Sequence, residues 1–230
     1  YAESTIKAIR NRLFWNFCQK DITDRIGCSE AAGAFLFGKK PYTVLKNAIC
    51  CEEYAYDEAV RKQIRAQYQA EGKLVVGNVG RFSQQKNQGY LVEIFAGIQK
   101  KQKNSVLWLV GDGELRPQLE EKVKELGLIS SVKFFGMVDN TKELYQAMDV
   151  LVMPSLFEGL PMTGVEAQAC GLPCVFADTI TREVDVMGNP FLSLEQSSTE
   201  WADVAIEAAG RFEKEGKKRR SFDKELAEHG

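Results

Sequence analysis

The sequence predicts an α/β protein built on a doubly wound parallel sheet, and three observations carry that prediction. Six short apolar runs recur from Leu74 onward, each too short for a helix. Between them lie segments whose apolar residues return at helical spacing. Glycines and capping residues mark the junctions. Strands that alternate with helices in this way form a parallel sheet covered on both faces.

The strands are expected at 74–79, 106–110, 132–135, 149–153, 173–177 and 191–194. One intervening helix buries Tyr90, Leu91, Ile94, Phe95 and Ile98; another buries Leu115, Leu119, Val123 and Leu126. Gly127 and Gly171 follow helical runs, and Ser197 stands three residues before Glu200, the spacing of a capping box. Thr163 is expected to cap a helix running to Gly171. Ligands of such sheets bind beyond the carboxyl ends of the strands, so the loops after each strand are the places to search.

The first 45 or so residues follow a different pattern. Ile6, Ile9, Leu13 and Phe17 stripe one helix, 25–28 reads as a short strand, and Ser29 can cap a second helix that ends at Gly38. A lone strand makes no stable sheet. Residues 1–41 are therefore read as the end of a preceding domain, against the alternative of an extension packed on the α/β domain. Residues 42–210 form that domain and 211–230 a helical tail. The absence of an initial Met suggests a chain cut from something longer, in which the exposed stripe would be covered by its own domain or by another copy.

Composition narrows the function. Of 230 residues, 44% are hydrophobic and 27% charged, with 30 Lys and Arg against 32 Asp and Glu. The net charge of -2 provides no field for nucleic acid. No apolar run reaches the roughly 20 residues of a membrane span, and no signal peptide opens the chain. The single His is His229, next to the C-terminus, which argues against a Ser-His-Asp triad or a His-rich metal site. Cys18, Cys28, Cys50, Cys51, Cys170 and Cys174 form no C-x2-C pair and read as reduced thiols in apolar surroundings, consistent with cytoplasm. The basic run from Lys217 to Arg220 reads as a solvated helix end beside Glu213, Glu215 and Asp223, against a contact with anionic lipid at the inner membrane face.

Four clusters fall at strand ends. Gly80-Arg81-Phe82 with Lys86 places two cations on one loop, a planar fork and a point charge suited to a diphosphate. Gly111-Asp112-Gly113 starts like a dinucleotide fingerprint, but Arg116 stands where its last glycine belongs. Phe135-Gly136-Met137-Val138 offers backbone polar groups that could face a base. The run from Pro154 to Ala167 holds Glu158 in a loop and Glu166 inside the following helix, with a helix N-terminus between them. Such an arrangement suits an elongated ligand with hydroxyls at both ends and phosphate in the middle.

These motifs, in order and in register across 42–201, resemble those of retaining glycosyltransferases of family 4, and most closely those of bacterial capsular or exopolysaccharide enzymes. The resemblance implies the two-domain GT-B architecture, with this chain supplying mainly the Rossmann-like donor-binding domain. It implies that Arg81 and Lys86 neutralise the donor diphosphate, that Glu158 contacts the transferred sugar, and that Glu166 binds ribose hydroxyls. Gly80, Gly111, Gly113, Gly136 and Met137 would line the donor, with Gly159, Leu160, Pro161, Met162 and Thr163 around its phosphate and sugar. A nucleotide-sugar, UDP-linked by expectation, is then a substrate, and neither metal nor cofactor is expected. The acceptor, a saccharide or lipid-linked, would bind the preceding domain. A nucleotide-sugar epimerase, a phosphorylase and a non-catalytic nucleotide-binding module remain alternatives. Asn47-Ala48-Ile49-Cys50 departs from the family's usual Asn-Gly-Ile-Asp.

Overall fold

The computed structural model describes residues 22–28, 30–45, 48–214 and 219–222. The expected stripe from Ile6 to Phe17, the Ser29 cap, Cys18, Asn47, Lys217, Lys218 and His229 lie outside the described residues. The chain divides into two compact units, Tyr1–Asn47 and Ala48–Gly230, a division later than the expected one after residue 41.

In the first unit, strand β1 (Ile26–Gly27) is followed by helix α1 (Glu30–Phe37) and strand β2 (Thr43–Val44). The two strands pair in parallel, Ile26 opposite Thr43 and Gly27 opposite Val44. The expected lone strand thus has a partner, in residues that the sequence pattern assigned to the α/β domain. The Tyr42 hydroxyl donates to Glu30 at 2.8 Å, which ties the second strand back to the helix.

The second unit begins with helix α2 (Glu58–Gln67), where the Asp57 carboxylate accepts from the N–H groups of Ala59 and Val60. Strands β3 (Leu74–Val79), β4 (Ser105–Val110) and β5 (Val132–Gly136) then alternate with helices α3 (Gln88–Lys101) and α4 (Arg116–Glu125). Helix α5 (Thr141–Ala147), strand β6 (Val150–Met153), helix α6 (Met162–Ala169) and strands β7 (Cys174–Ala177) and β8 (Phe191–Leu192) follow. Helices α7 (Ser198–Ala209) and α8 (Arg211–Lys214) come last. All six strands expected from the sequence are present, within a residue or two of their expected ends.

The sheet is wholly parallel, in the order β5-β4-β3-β6-β7-β8. From β3 the chain steps outward to β5, then crosses back to β6 on the other side of β3. Right-handed crossovers put α3 and α4 on one face and α5 and α6 on the other. Packing follows this division: α3 meets α4 and α7, while α2 meets α5. Trp108, Trp201, Phe95 and Phe176 are fully buried between the layers. Arg61 and Arg65 on α2 pair with Asp149, whose carboxylate also accepts from the Val75 N–H at 2.7 Å, fixing α2 beside β3 and β6.

Three details correct the sequence reading. Cys170 and Cys174 are buried and burial raises both thiols, but Cys50 is exposed rather than in an apolar setting. Arg219 is not part of a solvated helix end. Its guanidinium donates to the carbonyl oxygens of Tyr145, Gln146, Met148 and Cys170 and lies 4.8 Å from the Tyr56 ring centroid. It is therefore committed to the protein and not to lipid. Thr163 is the second residue of α6 and not its cap. Among the described residues, no helix is long and apolar enough to cross a membrane.

Candidate active site

The strand order reverses between β3 and β6, and open α/β sheets take ligands in the crevice outside the carboxyl ends of the strands at such a reversal. The loops after β3, β4, β5 and β6 are joined there by backbone hydrogen bonds. The Gly80 N–H donates to Val110 and the Gly111 N–H to Gly136, both at 2.9 Å. The Phe82 N–H donates to Asp112 at 2.9 Å, and the Leu115 N–H to Phe82 at 3.2 Å. Gly111 has φ +128°, and a Cβ there would lie 2.1 Å from the Gly80 oxygen. A Cβ on Gly113 would lie 2.3 Å from the Phe82 oxygen. The close approach these two glycines permit is between loops of the chain itself.

The charged residues sit on this platform. Lys86 ends a 3-10 turn, Gln84–Lys86, and its Nζ lies 2.5 Å from Glu158 Oε1. The Ser155 hydroxyl donates to the same oxygen at 3.0 Å, and the Glu158 side chain is only 9% exposed. The two loops are tied further by one main-chain bond and by two side-chain amides that donate to main-chain carbonyls. The Leu156 N–H donates to Gln85 at 2.8 Å, the Gln85 amide to Phe157 at 3.0 Å and the Asn87 amide to Pro154 at 3.0 Å. Arg81 is exposed and pairs with Glu114 at 3.0 Å. Gly136 ends β5 with φ +73°, followed by Met137, which is 82% exposed.

Pro161 occupies the cap position of α6, and no side chain caps its first turn. Gly164 and Val165 already donate to the Pro161 carbonyl, so the N–H groups of Met162 and Thr163 lead the helix. The Thr163 hydroxyl instead faces Met153 Sδ at 4.0 Å. Gly159 is exposed, whereas Leu160 is half-buried and Pro161 buried. Glu166 lies in the second turn, half-buried, and its Oε2 accepts from the Tyr145 hydroxyl at 2.9 Å.

The structure thus joins Lys86 directly to Glu158, and places Arg81 on the same loop as Lys86 with Glu114 as its partner. Ser155, Glu114 and Tyr145 contact the candidate residues, and the sequence reading gave none of the three a role. Ser155 was within reach of it, since it stands three residues before Glu158. Tyr145 was not, because its link to Glu166 spans 21 residues and two elements.

Residues 60–227 match the family described as Glycosyl transferases group 1. The chain belongs to that family. EpsF of Bacillus subtilis (strain 168), named as a glycosyltransferase, is 38% identical over 227 residues, covering 95% of this chain and 58% of that protein. An alpha-1,4-N-acetyl-D-galactosaminyltransferase of Campylobacter jejuni, named for an undecaprenol-linked substrate, is 31% identical over 168 residues, 73% of this chain and 43% of its own length. Among solved structures, Anabaena Alr3699/HepE in complex with UDP and glucose superposes with a TM-score of 0.73 at 26% identity, over 85% of this chain and 55% of that one. The chain spans little more than half the length of EpsF and HepE. As a group 1 glycosyltransferase chain it has the parallel-sheet α/β architecture of GT-B enzymes.

Proposed function

We propose that this chain is the donor-binding part of a retaining family 4 glycosyltransferase, which transfers a sugar from UDP to a saccharide or lipid-linked acceptor in cell-surface polysaccharide synthesis in the cytoplasm. The observation that carries this reading is the Lys86–Glu158 pair at the switch point, beside the uncapped start of α6. Arg81, Lys86 and the N–H groups of Met162 and Thr163 would hold the diphosphate, supplying the positive charge without a metal. Glu166 would accept from the ribose hydroxyls and Glu158 would face the transferred sugar. As the bond from the anomeric carbon to the diphosphate oxygen breaks, the same cations stabilise the charge on the leaving UDP. The acceptor oxygen bonds to that carbon and gives its proton to the departing diphosphate oxygen. HepE, crystallised with UDP and glucose, and the undecaprenol-linked substrate named for the Campylobacter enzyme support the donor and acceptor classes. The acceptor site is assigned to the part of the relatives that this chain does not span, so the chain alone should bind donor without transferring sugar.

Calorimetry of the chain with UDP, ADP and GDP tests the reading. UDP should bind, more weakly as salt rises, and Glu166→Ala should cost about 1.5–3 kcal/mol of that affinity, the value of a hydrogen bond to a charged group. No heat with any of the three at millimolar concentration sinks the donor site.

A further inference from the structure

Glu166 does not stand alone on its helix. Tyr145, at the end of α5, is fully buried, and its hydroxyl donates to Glu166 Oε2 at 2.9 Å. Tyr54, on the 3-10 turn Cys51–Tyr54, packs beside it with ring centroids 6.5 Å apart. Burial, and then the Glu166 charge, pushes the Tyr54 phenol up to about 12, and burial, the same charge and the hydrogen bond to Glu166 raise the Tyr145 phenol well above its ordinary value. The raised value favours the protonated Tyr145 hydroxyl, the form that donates to Glu166. The spacing of the two helices is also fixed. Arg219 donates from one guanidinium to the Tyr145 carbonyl at 2.8 Å and to the Cys170 carbonyl, just past the end of α6, at 2.9 Å.

A glutamate has three rotatable side-chain bonds, and ordering them opposes any contact that it makes with a ligand. A carboxylate also has about four acceptor positions, of which the Tyr145 hydroxyl takes one and leaves the rest for a ligand. We propose that Tyr145 is the positioning residue that holds the Glu166 carboxylate ready for a vicinal diol, and so sets the preference of this site for ribose over sugars lacking those hydroxyls. The inference rests on the reading that Glu166 takes the ribose hydroxyls.

The test compares UDP with 2′,3′-dideoxy-UDP by calorimetry on the full chain. The wild-type chain should prefer UDP by about tenfold or more, since a carboxylate loses its hydroxyl donors with the dideoxy ligand. Glu166→Ala should abolish that preference. Tyr145→Phe should lower it roughly three- to tenfold, the range of one net hydrogen bond, while affinity for dideoxy-UDP stays within twofold. In the Tyr145→Phe, Glu166→Ala double variant the preference should fall no further than with Glu166→Ala alone.

If Glu166→Ala abolishes the preference but folded Tyr145→Phe keeps it, the positioning role is overturned and the ribose assignment stands. Equal losses for UDP and dideoxy-UDP in Tyr145→Phe also overturn it, because a merely structural tyrosine would weaken both. If the wild type shows no preference, or Glu166→Ala retains it, the ribose assignment fails and the inference falls with it. Should Tyr145→Phe not fold, Tyr145→Leu, which also lacks the donor, decides by the same ratio.

Discussion

Lys86 and Glu158, the pair proposed to meet the donor, also bear on the stability of the fold. Their side chains are 18% and 9% exposed, so each charge depends on the other for much of what water would otherwise supply. Removing one partner leaves the other charge largely desolvated. Lys86→Met should therefore destabilise the chain by about 3 kcal/mol in urea denaturation. Adding Glu158→Gln, which removes the stranded charge and keeps a partner for Ser155, should recover most of that loss. A single variant as stable as the wild type would show the pair to be solvated, and the crevice open to water. Arg81 contrasts with this: it is 75% exposed beside Glu114, and its substitution should leave stability unchanged. The sequence pattern placed all three residues in loops that follow apolar runs: Gly80-Arg81 comes straight after Val79, and Glu158 after Met153 and the short stretch from Pro154 to Phe157. It did not reveal that Lys86 reaches Glu158, since the two lie 72 residues apart. It also assigned Gly111 and Gly113 to ligand approach, whereas the room they provide is taken by Gly80 and Phe82. Gly111→Ala should accordingly destabilise the fold by at least about 1–3 kcal/mol, the cost of a strained left-handed residue, before any effect on ligand. Its thermal melt in the absence of nucleotide measures this directly.

The elements that were easiest to read are those whose two ends carry chemistry and whose faces are unambiguous. Helix α7 has both: Ser197 accepts from the Glu200 N–H, and the Glu200 side chain accepts from the Ser197 N–H at 2.8 Å, a complete capping box. Ser197→Ala should lower stability by about 1 kcal/mol and Tm by roughly 2–4 °C. The Ser197 side chain, and then its backbone N–H, holds the Glu200 carboxyl below its ordinary value of 4.5. A lowered value means that the ionised box stabilises the fold above that pH, and that the contribution disappears as pH falls through the folded value. The melting difference between wild type and Ser197→Ala should therefore be narrower at pH 3 than at pH 7. Equal differences at both would assign the whole effect to the Ser197 hydroxyl acting on the backbone. Shorter elements were less legible for physical reasons. β1 and β2 have two residues each, too few to show alternation, so the pairing of Ile26 with Thr43 leaves no periodic trace. α6 begins at Met162 behind a proline, which supplies the right φ but no side-chain acceptor, and Thr163 was the nearest residue that looked like a cap. α5 is seven residues long and buries Leu144, Tyr145, Gln146 and Ala147 in succession, so it presents no amphipathic stripe to recognise.

At the scale of the whole molecule, the two units differ in what their strands are built to resist. In the second unit, β4 and β6 are interior strands of a six-stranded sheet, and Leu107, Trp108, Leu109, Val150, Leu151 and Val152 are completely buried. Opening them requires the core of the unit to come apart, so their amides should exchange only with global unfolding. In the first unit the two-residue strands β1 and β2 make a sheet of two strands, with Ile26 exposed and Thr43 exposed on the paired residues. A ribbon of that size has marginal stability of its own. The Thr43 N–H donates to Arg25 at 2.8 Å and the Leu45 N–H to Gly27 at 2.9 Å, the bonds by which β2 holds β1. Amide exchange followed by mass spectrometry should show peptides spanning 22–45 deuterating well before peptides spanning 105–110 and 150–153, under conditions where the second unit stays folded. The same ordering should persist with saturating UDP, because every residue assigned to the donor lies in 80–166. The donor should slow exchange further in the loops at 80–87 and 154–161, by raising the free energy of any opening that releases it. Protection of 22–45 equal to that of β4 and β6 would show that this small sheet shares the cooperative unit of the larger one. Slowing at 22–45 on adding UDP, with none at 80–87, would move the donor site away from the crevice between β3 and β6.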